Sequence, residues 1–197
     1  MYSPKGIFRV IAGPMSCGKS DRTLLELRRA EIARRKVLLI RPSLDTRTPP
    51  EVVQSRSGSQ FRARALSTSK DIVRAVRAVG ADFVAIEEGQ FWDDGIVEAV
   101  ETLVAHNVTV IVNGLNQDFA GRPFGPMPAL MARADEVVVL TAICMVCGAD
   151  ATKTQRLHAD GSPARADDPL VVIGGLETSA GEDRYEARCR THHVVPH

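Results

Sequence analysis

The sequence predicts an α/β protein, a parallel sheet with helices on both faces followed by a small irregular unit. Three observations carry that reading. Short unbroken runs of Val, Ile and Leu alternate with stretches of helical period. The first run leads straight into a glycine-rich loop, GPMSCGKS. After Thr141 the texture changes to paired cysteines, Gly, Pro and Asp. Strands that are apolar on both sides need cover on both faces, and such sheets are parallel.

Taken in order, residues 7–12 (IFRVIA) read as the first strand, ending at Gly13. Residues 20–35 hold few breakers and place Leu24, Leu25, Leu27 and Ile32 at roughly helical spacing. KVLLIRP, residues 36–42, is a second apolar strand. Residues 42–60 are rich in Pro, Ser, Thr and Arg and read as a mobile loop. Residues 70–79 alternate apolar and basic positions at helical period, and 82–87 form a third strand. A helix over 94–105, a strand over 108–113 and a fifth strand over 137–140 complete the alternation. The expected division is an α/β domain over 1–141 and a small second domain over 142–197, which the motifs below make nucleotide-binding and zinc-binding in turn.

Composition narrows the function. A chain of 197 residues can build one good core with an appendage. A net charge of +1 gives no broad footprint for nucleic acid or anionic lipid, though one local site suffices for a nucleotide. No apolar run approaches the ~20 residues of a membrane helix. The start, MYSPKGIFRV, lacks a secretory layout, so the expected compartment is cytoplasmic. Four cysteines in that reducing setting suggest metal or chemistry more than disulfides.

The loop Gly13, Pro14, Met15, Ser16, Cys17, Gly18, Lys19, Ser20 matches G-x-x-x-x-G-K-[ST]. Glycines let backbone N–H groups wrap phosphates, Lys19 reaches the terminal phosphate oxygens, and Ser20 can ligate Mg²⁺. The following helix points its positive end at the anion. Cys17 reads as a small filler side chain.

The third strand ends in two adjacent glutamates. Neighbouring strand residues face opposite ways, so the two carboxylates can do different jobs. Glu87 is the candidate for the Mg²⁺ shell. Glu88, one position further, can take a proton from an acceptor hydroxyl. Cys144 and Cys147 form a C-x₂-C pair, and Cys189 and His192 a C-x₂-H pair. Three thiolates and one imidazole make a closed tetrahedral set for structural zinc, with His193 an alternative fourth ligand. Such a metal would pin both ends of a long loop that has no core of its own.

Together these residues resemble the zinc-containing, tetrameric type of thymidine kinase. The resemblance runs through GPMSCGKS, LDTR, IEEGQFWDD, VNGLNQDFAGRPFGPMPALMARAD, TAICMVCGADATKTQRL, DDPLVVIGG and RYEARC. It implies transfer of the ATP γ-phosphate to the 5′-hydroxyl of thymidine. It implies a RecA-like sheet and a zinc-pinned lasso over the nucleoside. It makes Glu88 the general base and places Glu87 where the family usually carries Asp. It assigns Arg47 to charge developing at transfer, and Met15, Phe91, Leu115, Phe119 and Phe124 to the base pocket. Lasso contacts map to Thr154, Val172 and Gly174, with Tyr185 on the sugar. Between IGG and RYEARC the sequence carries LETSAGED, several residues more than the usual family spacing. A homotetramer and feedback inhibition by thymidine triphosphate are further expectations of the resemblance. The competing readings are a P-loop ATPase or switch whose zinc knot binds a partner, and a nucleotide-binding protein without chemistry. Intact Lys19, Ser20 and Glu88 argue against the last.

Overall fold

A computed structural model describes residues 6–44, 52–54, 58, 60–170 and 183–196. The first strand, β1 (Phe8–Ala12), runs through the glycine-rich loop into helix α1 (Lys19–Ile32). Next come β2 (Val37–Pro42), β3 (Val52–Gln54), β4 (Gln60–Leu66) and α2 (Ser69–Val79). β5 (Phe83–Ile86) passes by a short 3₁₀ turn, Gly89–Phe91, to α3 (Ile96–Ala105). β6 (Thr109–Gly114), α4 (Met127–Arg133) and β7 (Glu136–Val139) finish the sheet. The strand order is β3-β4-β2-β5-β6-β1-β7. β4 to β7 pair in parallel, and β3 joins β4 antiparallel. The predicted α/β architecture therefore holds, with six parallel strands at its centre.

Each strand feeds two cores, because successive side chains point to opposite faces. Phe83 and Ala85 pack with Ile11, Leu24 and Leu27 on the α1 face. Val84 and Ile86 pack with Ile72, Ile96 and Leu130 on the other. This alternation decides where the next residue goes. Continuing the register, Glu87 follows Phe83 and Ala85 onto the α1 face, beside the glycine-rich loop.

Two elements differ from the sequence reading. Where a loop was expected over 42–60, Val52–Gln54 pairs with Gln60–Leu66 as an antiparallel edge ribbon. Its period-2 signal, FRARAL, is carried by arginines on exposed or half-buried positions, so it lacks an apolar run. Helix α4 also escapes the apolar pattern, because its seven residues bury only Met127 and Leu130.

Beyond the sheet, β8 (Ala142–Ile143) pairs with β9 (Asp150–Ala151), and β10 (Lys153–Leu157) with β11 (Arg184–Arg188). Both pairs are antiparallel. The apolar cluster here is small: Ala142, Cys144, Ala151 and Ala187, with Cys17 and Cys189 against it. Among the described residues, no helix is long and apolar enough to cross a membrane.

Candidate active site and metal centre

The glycine-rich loop sits at the C-terminal edge of the parallel strands, between β1 and α1. Gly13 has φ +148, and a Cβ there would meet the Leu140 carbonyl at 2.5 Å and Cys17 Sγ at 2.8 Å. Only glycine fits. Ser16 (φ 64) and Gly18 (φ 83) also take left-handed backbone, the geometry that turns successive N–H groups into one concavity for an anion. Lys19 folds over that concavity, its Nζ donating to the carbonyls of Gly13 at 3.1 Å and Pro14 at 2.7 Å. The Met15 N–H donates to Thr154 Oγ1 at 3.0 Å. Thr154 is thus joined to the loop through its hydroxyl.

Glu87 is 3% exposed. Its carboxylate accepts from Ser20 Oγ at 3.0 Å and from Asn113 Nδ2 at 2.6 Å. Asn113 Nδ2 also donates to Thr23 Oγ1 at 2.7 Å. Burial, and then the neighbouring Glu88 carboxylate, push the Glu87 carboxyl up to about 7, while bonds from Asn113 and Ser20 and the charge of Lys19 oppose the rise. Glu88 departs from the strand. Its φ of 52 is left-handed, and it caps the 3₁₀ turn. It is half-buried, its N–H points at Asn113 Oδ1 (3.3 Å), and its Oε2 accepts from Gln90 Nε2 at 2.5 Å. A left-handed glutamate is sparsely populated, and such strain concentrates at working sites. The two carboxylates are therefore separated in direction by backbone: one continues the strand into a polar nest, the other leaves it at a kink.

Of the apolar candidates, Leu115, Phe119 and Phe124 are buried, and Met15 and Phe91 half-buried. Phe91 and Phe124 meet edge-to-face, centroids 5.6 Å apart. Phe119 lies against a different neighbour, the Arg156 guanidinium, 5.3 Å from its centroid. Tyr185 lies on β11, in register with Arg156. Arg47, Val172 and Gly174 lie outside the described residues.

The cysteines converge. One ligand atom from each of Cys144, Cys147, Cys189 and His192 lies within 4.8 Å of the others. Sγ of Cys147 and Cys189 are 3.8 Å apart, and His192 Nδ1 is 3.8 Å from Cys144 Sγ and 3.2 Å from Cys189 Sγ. Tetrahedral zinc with bonds of about 2.0 to 2.3 Å sets ligand atoms roughly 3.5 Å apart. The donor set and its spacing fit zinc. His193 is engaged elsewhere, with Nε2 2.8 Å from the Phe119 carbonyl, and the imidazole that joins the three cysteines is that of His192.

Sequence reasoning missed the residues that hold the candidates in place. Asn113 and Gln90 carry no charge and sit in apolar or glycine-rich stretches. Their one signal was position, at the ends of β6 and β5. Arg156 is 4% exposed, with Nε donating to Asp183 Oδ2 at 2.7 Å and Nη1 to the Pro169 carbonyl at 2.6 Å. Burial alone would raise the Asp183 carboxyl, but bonds from Arg156 and His158 hold it below the usual range.

Comparison with known proteins gives two findings. The family model described as Thymidine kinase matches residues 6–193. A protein of Coprothermobacter proteolyticus described as "Thymidine kinase" is 47% identical over 191 residues, which cover 97% of this chain and 92% of that protein.

Proposed function

Since this chain belongs to the thymidine kinase family and phosphorylates thymidine, we propose how its residues divide the reaction. The loop from Gly13 to Ser20 holds the phosphates of ATP, with Lys19 on the terminal oxygens. Ser20 and Glu87 would hold Mg²⁺, which supplies positive charge against the transferring phosphoryl group. Glu88 takes the proton from the thymidine 5′-hydroxyl as that oxygen attacks the γ-phosphorus. Met15, Phe91, Leu115, Phe119 and Phe124 receive the base, and Thr154, Val172, Gly174 and Tyr185 close over it. Arg47 neutralises charge at transfer. Zinc on Cys144, Cys147, Cys189 and His192 is structural, since four protein ligands leave no open position. The same reading carries a cytoplasmic homotetramer restrained by thymidine triphosphate.

The observation that supports this most is the 3.0 Å bond between Ser20 Oγ and Glu87, with Glu88 next in the chain. It brings a phosphate cradle, a cation-type donor pair and a proton acceptor to one sheet edge. The test is Glu88→Gln. Thymidine and ATP binding should persist while kcat falls at least ~10²-fold. An unchanged kcat removes Glu88 from the chemistry. Hydrolysis of ATP that ignores thymidine would favour the partner-binding switch instead.

A further inference from the structure

Gln90 is buried, 4% exposed, in the 3₁₀ turn that follows β5. A carboxamide has one accepting end and one donating end. Here the accepting end is fixed, because the Leu115 N–H donates to Gln90 Oε1 at 2.9 Å. The NH₂ end must then point the other way, and it donates to Glu88 Oε2 at 2.5 Å. The backbone of Gln90 is held too. Its carbonyl lies 2.4 Å from where a Cβ on Gly125 would stand, so only glycine admits it, at φ +50. One amide therefore ties the candidate base to Leu115, on the candidate wall for the nucleoside.

We propose that Gln90 is a positioning residue that sets the Glu88 carboxylate at a fixed distance and angle from the nucleoside pocket. This rests on the reading of Glu88 as the general base. Glu88 stands on a kinked backbone, and its side chain has several rotatable bonds. The Gln90 N–H fixes Glu88 Oε2 from the side of Leu115, and losing it removes the donor that sets the carboxylate's angle toward that wall. Asn at position 90 would be one methylene short of spanning both contacts. Glu would keep an acceptor for Leu115 but present an oxygen, not an N–H, to Glu88. Misplacement of a catalytic group by an ångström costs about 10²-fold in rate, so the tether's effect belongs in kcat and not in ground-state binding.

The experiment is a double-mutant cycle on the full-length chain. Gln90→Glu and Gln90→Met are each made alone and with Glu88→Gln, and kcat and both KM values are measured. Circular dichroism and zinc content confirm folding; if Gln90→Met does not fold, Gln90→Glu, which keeps the Leu115 bond, is the variant read. The expected result is a loss of about 10- to 100-fold in kcat, thymidine KM within about threefold, and no added loss in the Glu88→Gln background. A folded variant with kcat within about twofold of the parent overturns the proposal. A full further loss in the Glu88→Gln background does so as well, because Gln90 would then act independently of Glu88. Failure of the underlying reading looks different: Glu88→Gln alone would leave kcat intact.

Discussion

The seven-stranded sheet and the C-terminal segment from Ala142 are held together by different forces. In the sheet, Val10, Ile11, Ile40, Ile86, Ile111 and Val112 are fully buried. Each large side chain of that kind contributes roughly 1.5–3 kcal/mol. In the C-terminal segment the corresponding cluster is three alanines and a cysteine. Much of what is buried there is polar: Thr154, Gln155 and Arg156 are each 4% exposed or less. Gln155 donates to the carbonyls of Arg156 and Val194 and accepts from the Val194 N–H. Polar side chains fix geometry well but add little net stability each, about 1 kcal/mol per hydrogen bond. A segment built this way needs an external clamp, and the Cys₃His group is suited to be one.

That contrast can be broken by experiment. The largest effect is expected from removing zinc. Structural zinc sites contribute about 10–16 kcal/mol at pH 7. Chelation, or Cys144→Ser, should abolish kinase activity and the order of the C-terminal segment while the helical far-ultraviolet signal of the sheet persists. Simultaneous loss of both would show one cooperative unit. Next is Ile86→Ala in the sheet core, which should cost about 2–5 kcal/mol in denaturant unfolding. One zinc per folded chain should remain. Smaller still is Arg156→Ala, about 2 kcal/mol, since it removes the buried bonds to Asp183 and to the Pro169 carbonyl and leaves Asp183 with His158 alone of its two cationic partners. Thymidine KM should rise with it, because Arg156 covers the Phe119 ring. The smallest is Asp93→Ala in the sheet region. Asp93 accepts from Ser69 Oγ and from the Ser69 and Gly95 N–H groups, and these bonds, those of Ser69 first, hold its carboxyl below the ordinary value. A depressed acid adds stability above its unfolded pKa and loses it as pH falls through the folded one. Asp93 is exposed, so solvent screens these bonds; the variant should lose a few tenths of a kcal/mol, about 1 at most, at pH 7, and its deficit should shrink below about pH 4. A constant deficit down to pH 2 would assign the effect to packing.

The same contrast explains what the sequence made legible. Apolar runs betray buried parallel strands, so β1, β2, β5 and β6 stood out within a residue or two. The edge ribbon did not, because one side of it meets solvent and its alternation is written in arginines. The glycine-rich loop and the cysteine pairs were legible because each needs particular residue types at fixed spacing. Choosing between His192 and His193 was not, because neighbours in sequence differ only in where their rings point. Asn113 and Gln90 were silent for a related reason. An amide acquires its role from what faces it, and no spacing rule announces that partner.

One contact bears on timing. The Met15 N–H waits for a hydroxyl 139 positions later in the chain, and β1 pairs with β7 near residue 137. A nascent chain leaving the ribosome therefore carries an unfinished grip until residue 154 has been made. A chain cut short of residue 154 lacks the hydroxyl that closes on Met15.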